Sequence, residues 1–241
     1  MQPELVKLLL DLNREFYAAF ARDFSDTRSS ERLNLDPIAP YLANGLRLLD
    51  AGCGNGRLAE RLDREGLALD YLGVDAAEKL IAVAERRKRT FRNVKAEFRT
   101  ADLSEPGWGD SLRDRGPFDL ILALAVLHHL PGFELRRRVL SDMRSFLAPG
   151  GHIILSNWQF YGSERLRGKI VPWGTIGVDE RELEPGDALI DWKRGGEGVR
   201  YVHLLQEEEV SRLAGESALA VVDQFLADRD LNLFSVLDRA P

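Results

Sequence analysis

Three alternating glycines, Gly52, Gly54 and Gly56, follow an apolar run from Leu46 that ends on Asp50, and a helical pattern begins directly after them. A buried strand that feeds a tight turn and then a helix is written this way. Glycines at this spacing let the backbone turn sharply and approach a ligand closely, while the amides that open the helix can hold negative charge. A second acid, Asp75, closes the next apolar run, Leu69 to Val74. At the tip of a second strand such a carboxylate is placed to accept both hydroxyls of a ribose. The pair points to a nucleotide-like cofactor. Arg57 and Leu58 stand where a dinucleotide fingerprint would continue toward its last glycine, which disfavours hydride transfer. Further on, His128 and His129 offer paired imidazoles, which titrate near neutral pH and suit general-base work. The one cysteine, Cys53, lies among the glycines with no evident base nearby and is assigned to packing.

The elements that must position these residues read as strand and helix in alternation. Strands are expected at Leu46–Asp50, Leu69–Asp75, Val94–Thr100, Phe118–Leu124 and His152–Trp158, with helices at Arg57–Arg64, Ala77–Arg89 and Glu134–Leu147. Such alternation gives a parallel sheet with helices on both faces. Ahead of it, Leu5, Leu8, Leu9, Leu12, Phe16 and Phe20 mark an amphipathic helix over Gln2–Phe24, laid against the main domain, and Asp36-Pro37 opens a short helix to Leu42. After it, Gln159–Arg200 breaks the rhythm, and Ala188–Lys193 with Val199–Leu205 reads as a hairpin. A helix at Gln206–Ala214 and strands at Ala218–Leu226 and Leu231–Leu237 close the chain. The expectation is a single domain: a helical lid segment (1–45), a cofactor-binding core (46–158), an insertion facing substrate (159–205) and closing elements (206–241).

Length and composition agree, since 241 residues with 44% hydrophobic and 30% charged residues suffice for one full core. No apolar run approaches a membrane span, the N-terminus does not read as a signal peptide, and a lone cysteine fits a reducing compartment; a cytoplasmic protein is expected. A single cysteine also excludes a zinc site built on several, and no metal is expected. A net charge of −6 argues against a uniformly basic nucleic-acid binder but allows a local basic patch. Arg86–Arg89 and Arg136–Arg138 read as solvated helix faces, whereas Arg165, Arg167 and Lys169, near Trp158, Tyr161 and Trp173, lie in the insertion that leaves the ligand-binding end of the sheet.

Asp50-Ala51-Gly52-Cys53-Gly54-Asn55-Gly56 resembles the first motif of the class I S-adenosylmethionine-dependent methyltransferases. Ala101-Asp102-Leu103, Phe118-Asp119-Leu120-Ile121 and Leu147-Ala148-Pro149-Gly150-Gly151 resemble later motifs of the same family, in order. The resemblance implies a Rossmann-like α/β fold with a seven-stranded, mostly parallel sheet whose last strand is antiparallel. It also implies S-adenosyl-L-methionine as cofactor, held by Asp50, Gly52, Cys53, Gly54 and Asn55, by Asp75 and Ala76, by Ala101, Asp102 and Leu103, and by Leu124. Asp102 is expected at the adenine, with a helix-cap role as its bland alternative. The segment Ala123–Pro131 would face the transferred methyl group, and it lacks the Asn/Asp-Pro-Pro-aromatic element usual in amino methyltransferases. His129 is the candidate beside the substrate.

Phe16-Tyr17, Phe24-Ser25-Asp26-Thr27-Arg28, Ala125–His129, Val171-Pro172-Trp173 and Arg200-Tyr201-Val202-His203 resemble one branch, the tRNA wobble-uridine carboxymethyl methyltransferases. That resemblance adds Tyr17 and Arg28 to His129 as catalytic candidates, Arg28 orienting a carboxylate bidentately. Where the branch carries a Trp-Pro pair after its Thr-Arg element, this chain has Ser30-Glu31-Arg32. An acceptor carboxylate is ionised at neutral pH, so ester formation needs positioning more than a base. The same residues also suit methylation of a small carboxylic acid or phenol. A partner subunit that binds S-adenosylmethionine without turnover is the reading from another class.

Overall fold

The computed structural model describes residues 1–26 and 29–240, apart from the side chains at 22 and 24, so Thr27 and Arg28 lie outside the described residues. A seven-stranded sheet forms the centre, in the order β3-β2-β1-β4-β5-β10-β9. Its strands are β1 (Arg47–Ala51), β2 (Asp70–Asp75), β3 (Lys95–Thr100), β4 (Phe118–Leu124), β5 (Leu147–Trp158), β9 (Leu219–Ala227) and β10 (Asn232–Arg239). β1 to β5 are parallel, and β10 runs antiparallel to both β5 and β9. The last strand is therefore antiparallel, as expected, and sits between β5 and the edge strand β9.

Alternation along the strands divides the core into two layers. Leu48, Leu120, Leu122, Ile154 and Val236 face α2 (Arg57–Arg64) and α3 (Glu78–Lys88), packing with Leu58, Leu62, Ile81 and Ala84. Leu49, Ile121, Ile153, Leu155 and Leu237 face α4 (Phe133–Phe146) and α6 (Glu207–Glu216), packing with Val139, Leu140, Met143, Val210 and Leu213. Both faces of the parallel strands are thus buried, the condition under which parallel sheets occur. Strand order reverses between β1 and β4, and ligands of open sheets bind at the carboxyl ends of such strands.

The insertion builds more than a hairpin. β6 (Ile170–Val171), β7 (Asp187–Trp192) and β8 (Gly198–His203) form a second, antiparallel sheet, entered through the short α5 (Glu164–Arg167). The long first helix, α1 (Pro3–Asp26), rests Leu5 and Leu9 on Leu189 and Tyr201 of this small sheet and on Trp173, just beyond β6. On its other side Ala188, Ile190 and Val202 pack with Phe160 and Trp158. Leu8, read as part of the apolar stripe, is 45% exposed, because the buried line follows Leu5, Leu9, Asn13 and Phe16.

Two further expectations change. The turn at Leu147–Gly151 belongs to β5, since Leu147 already pairs with Phe118 and the register then jumps to Leu120 opposite His152. Arg136 is not on a solvated face: it is fully buried, donating to the Leu130 carbonyl and pairing with Glu184 at 2.5 Å and Glu209 at 2.8 Å. Two carboxylates distant in sequence balance its charge, and the bond to Leu130 ties down the loop that carries His129. No helix among the described residues is long and apolar enough to cross a membrane.

Candidate active site

A cavity of about 590 Å³ opens at the carboxyl ends of β1, β2 and β4, beneath α1. Its floor is the glycine turn. Gly52 has φ +88°, and a Cβ there would lie 2.4 Å from a Val126 methyl, so no side chain fits. Gly54, at φ +54°, faces open space with nothing within 4 Å of where a Cβ would be, which leaves a cradle along the backbone. Its amide donates to Asp75 Oδ2 at 2.9 Å, while Oδ1 accepts from Ala77 at 2.8 Å. One carboxylate therefore shapes the turn and keeps lone pairs for a ligand. Burial pushes the Asp75 carboxyl up, against the lowering effect of those two amides.

Asp50 lies deeper, 3% exposed, with the Tyr71 hydroxyl donating to it. Burial raises its pKa from the ordinary 3.8 to about 7, the Tyr71 bond opposing and Asp75 adding to the rise. Between those two values the folded state holds a proton that the unfolded state has lost. The stability contributed by Asp50 is therefore complete below about pH 4 and is lost as pH rises through 7. Asp50→Asn should flatten this part of the melting-temperature profile, by roughly 5 °C or more across the window. An unchanged profile in scanning calorimetry would show that the carboxyl titrates normally.

Every residue assigned to the cofactor from sequence lines this cavity: the turn residues Asp50 to Asn55 named above, then Asp75, Ala76, Ala101, Asp102, Leu103 and Leu124. Cys53 has its thiol pushed well above the usual range, first by burial and then by Asp50 and Asp75, which agrees with a packing role. Asn55 spends its side-chain amide on Ser25 of α1 at 2.7 Å. Of the two roles expected for Asp102, the structure displays the cap: Oδ1 accepts from the Ser104 amide and hydroxyl, while Oδ2 accepts from Arg14 Nε at 2.9 Å at the cavity wall.

At the opposite end stand Tyr17, His129 and Trp158. The chain leaves β4 through Ala125, whose φ of 60° is unusual for a residue with a Cβ and is held by bonds from its amide to the Ser156 carbonyl and hydroxyl. That bend sends the chain through a single tight turn, Leu127–His129, burying His128 and presenting His129. His129 Nδ1 lies 3.2 Å from the Tyr201 carbonyl oxygen, and Nε2 lies 3.0 Å from the Tyr17 hydroxyl. A carbonyl can only accept, so Nδ1 carries the proton, and in the neutral ring Nε2 accepts from Tyr17.

Arg200 of β8 stands behind these residues rather than on the cavity lining. Its guanidinium sits 4.7 Å from the Trp158 ring centre, 5.1 Å from Phe16 and 5.9 Å from Trp192, and it reaches the Tyr17 hydroxyl at 3.5 Å. The residue is 5% exposed and Nε has no hydrogen-bond partner among the described residues. Sequence patterning assigned Arg200 no role of its own, and it missed Asn13 and Arg14 of α1. The signal for Asn13 was a carboxamide inside the stripe of Leu9, Leu12 and Phe16. Beside the cavity, Glu184, Asp187 and His203 hold ligand-type atoms within 4.8 Å of one another. Their bonds to Arg136, to the Tyr201 hydroxyl and between His203 and Asp187 account for the cluster as a buried polar network. Burial alone would lower the His203 pKa, but bonds to Asp187 and Glu209 outweigh it and raise it.

A Gly-rich turn, an acid at the second strand and a cavity at the switch point define a nucleoside-cofactor enzyme of the doubly wound class. Residues 49–153 match the family model described as a methyltransferase domain. A ubiquinone biosynthesis O-methyltransferase of Rhizobium etli is 30% identical over 198 residues, spanning 82% of this chain and 69% of that protein. A mouse protein named "probable tRNA methyltransferase 9B" is 29% identical over 177 residues, 72% of this chain but 36% of its own length. Among solved structures, an S-adenosylmethionine-dependent methyltransferase from Methanosarcina mazei superposes with a TM-score of 0.65 at 22% identity, over 86% of this chain and 99% of that one. The chain belongs to the class I S-adenosylmethionine-dependent methyltransferases, and S-adenosylmethionine is its cofactor.

Proposed function

We propose that the chain transfers a methyl group to a carboxylate of its acceptor, forming a methyl ester, and that this carboxylate is the carboxymethyl group of a tRNA wobble uridine. Arg200 carries the reading. A buried guanidinium walled by three aromatic rings, with Nε unpaired among the described residues, is expensive to maintain unless an anion arrives to pair with it. Its contacts with Tyr17 and Trp158, both cavity residues, set it beside the end of the site where His129 stands. The likeness of Tyr17 and the Arg200–His203 segment to the wobble-uridine branch, together with the mouse relative, supports the tRNA assignment.

Three acids would divide the cofactor between them: Asp75 would accept the ribose hydroxyls, Asp102 would contact the adenine, and Asp50 would lie toward the remaining end of the cavity. Bound there, S-adenosylmethionine supplies a sulfonium-activated methyl group. An acceptor carboxylate oxygen would take that methyl carbon as the carbon–sulfur bond breaks, with the electron pair left on sulfur. No proton has to leave. Arg200 orients the carboxylate, Tyr17, its hydroxyl proton held by His129 Nε2, bounds the space beside it, and the aromatic wall excludes water, which strengthens the guanidinium contact. Arg28, outside the described residues, is assigned to the same carboxylate or to that of the cofactor.

The ubiquinone relative favours a second reading, a small phenolic acceptor whose proton would pass to His129. A non-catalytic subunit would bind the cofactor and transfer nothing. Binding of tRNA measured over a range of salt separates these. Arg165 and Arg167 are exposed on α5 and Lys169 follows them. Affinity for tRNA should fall steeply with salt, and Arg165→Ala or Lys169→Ala should each lower the slope by roughly 0.7–0.9. A flat response, with label from the cofactor entering metabolites instead of tRNA, would favour the phenol.

A further inference from the structure

Asn13 occupies an unusual place: a carboxamide on the buried line of α1, 6% exposed, at the junction of α1, β8 and the His129 turn. Its Nδ2 donates to the His129 carbonyl at 3.0 Å and to the Tyr201 carbonyl at 3.2 Å, and its Oδ1 accepts from the Tyr201 amide at 2.8 Å. Two carbonyls and one N–H allow only one orientation of the amide. The Tyr201 carbonyl is the group that receives His129 Nδ1–H. Tyr201 is fixed at its far end as well, where its hydroxyl donates to buried Asp187 at 2.6 Å. One helical turn beyond Asn13, on the same face of α1, Tyr17 meets the other imidazole nitrogen.

We propose that Asn13 is a positioning residue: by pinning both the His129 backbone and the carbonyl that binds its ring, it fixes His129 in the Nδ1–H tautomer and makes docking of α1 a condition for a formed acceptor end. The cofactor floor, built by β1, β2 and β4, needs no part of this bond network. Seating α1 delivers Asn13 and Tyr17 together, so one event sets the proton on Nδ1 and turns the Nε2 lone pair toward the hydroxyl. A helix displaced from β8 leaves the imidazole free to exchange tautomers and the Tyr201 amide unpaired.

The proposal rests on His129 as the acceptor-end residue, but its test does not require the acceptor. Long-range ¹H–¹⁵N spectra of the four histidines, recorded on the whole chain at a pH where the rings are neutral and assigned with His129→Gln, report each ring proton directly. Wild-type His129 should carry its proton on Nδ1, with Nε2 in the unprotonated region. Asn13→Asp, which keeps the acceptor for Tyr201 N–H but loses both donors, and Asn13→Ala should move a large share of His129 to the Nε2–H form, while affinity for S-adenosylhomocysteine changes less than about twofold. A wild-type ring protonated on Nε2 would overturn the proposal without any variant. So would variants that melt earlier yet keep the Nδ1–H form, since that is the signature of a purely structural asparagine.

Discussion

Asp75→Ala should weaken S-adenosylhomocysteine binding by at least about 100-fold. Two ribose hydroxyls donating to a charged acceptor contribute roughly 1.5–3 kcal/mol each, and every 1.4 kcal/mol is about tenfold in affinity. The same carboxylate receives the amides of Gly54 and Ala77, so its loss also loosens the turn that forms the cavity floor. Asp75→Asn, which keeps one acceptor oxygen in place, should fall between the two. Isothermal calorimetry with circular dichroism as a fold control reads the effect. Affinity within threefold of wild type in a folded Asp75→Ala protein would remove the ribose assignment.

Arg200→Met should separate catalysis from stability. A methionine can occupy the space among Phe16, Trp158 and Trp192 without a charge to desolvate, and replacing a buried ion by an apolar side chain of similar length is often neutral or stabilising. The melting temperature should therefore hold or rise. Transfer to a carboxylate acceptor should fall by roughly 100-fold or more, the loss typical of removing a charged group that positions a reactant, and cofactor affinity should stay within about twofold. A protein that loses stability and keeps its activity would show that the guanidinium serves packing through its rings alone.

Much of the main sheet could be read from the chain because its physics is local. Buried parallel strands appear as apolar runs, their helices as 3.6-residue patterns, and the glycine turn as residues that tolerate positive φ; α2 and β4 fall on the residues that the pattern marks. The cofactor side followed, since its acids sit at strand ends. The acceptor side did not. β8 carries Arg200 and His203 among Tyr201 and Val202, and all four are buried, because α1 covers one face of the small sheet and residues around Trp158 the other. Charges in such a strand look solvent-facing until their partners arrive from elsewhere: Asp187 and Glu209 for His203, three aromatic rings for Arg200. Arg136 misled in the same way, with its balancing acids lying 48 and 73 residues along the chain. Two-residue β6 is too short to show a period, and its existence depends on pairing with β7.

The central claim, ester formation on a carboxylate, is tested most directly by the stability of the product bond. The protein is incubated with methyl-labelled S-adenosylmethionine, tRNA from cells lacking the enzyme and a metabolite extract from the same cells, and each fraction is then treated with mild alkali. Methyl esters saponify and release volatile labelled methanol, whereas aryl methyl ethers and N-methyl groups survive. Label that enters tRNA and leaves it as methanol is the predicted result. Alkali-stable label in a small phenol, or in tRNA, would contradict it.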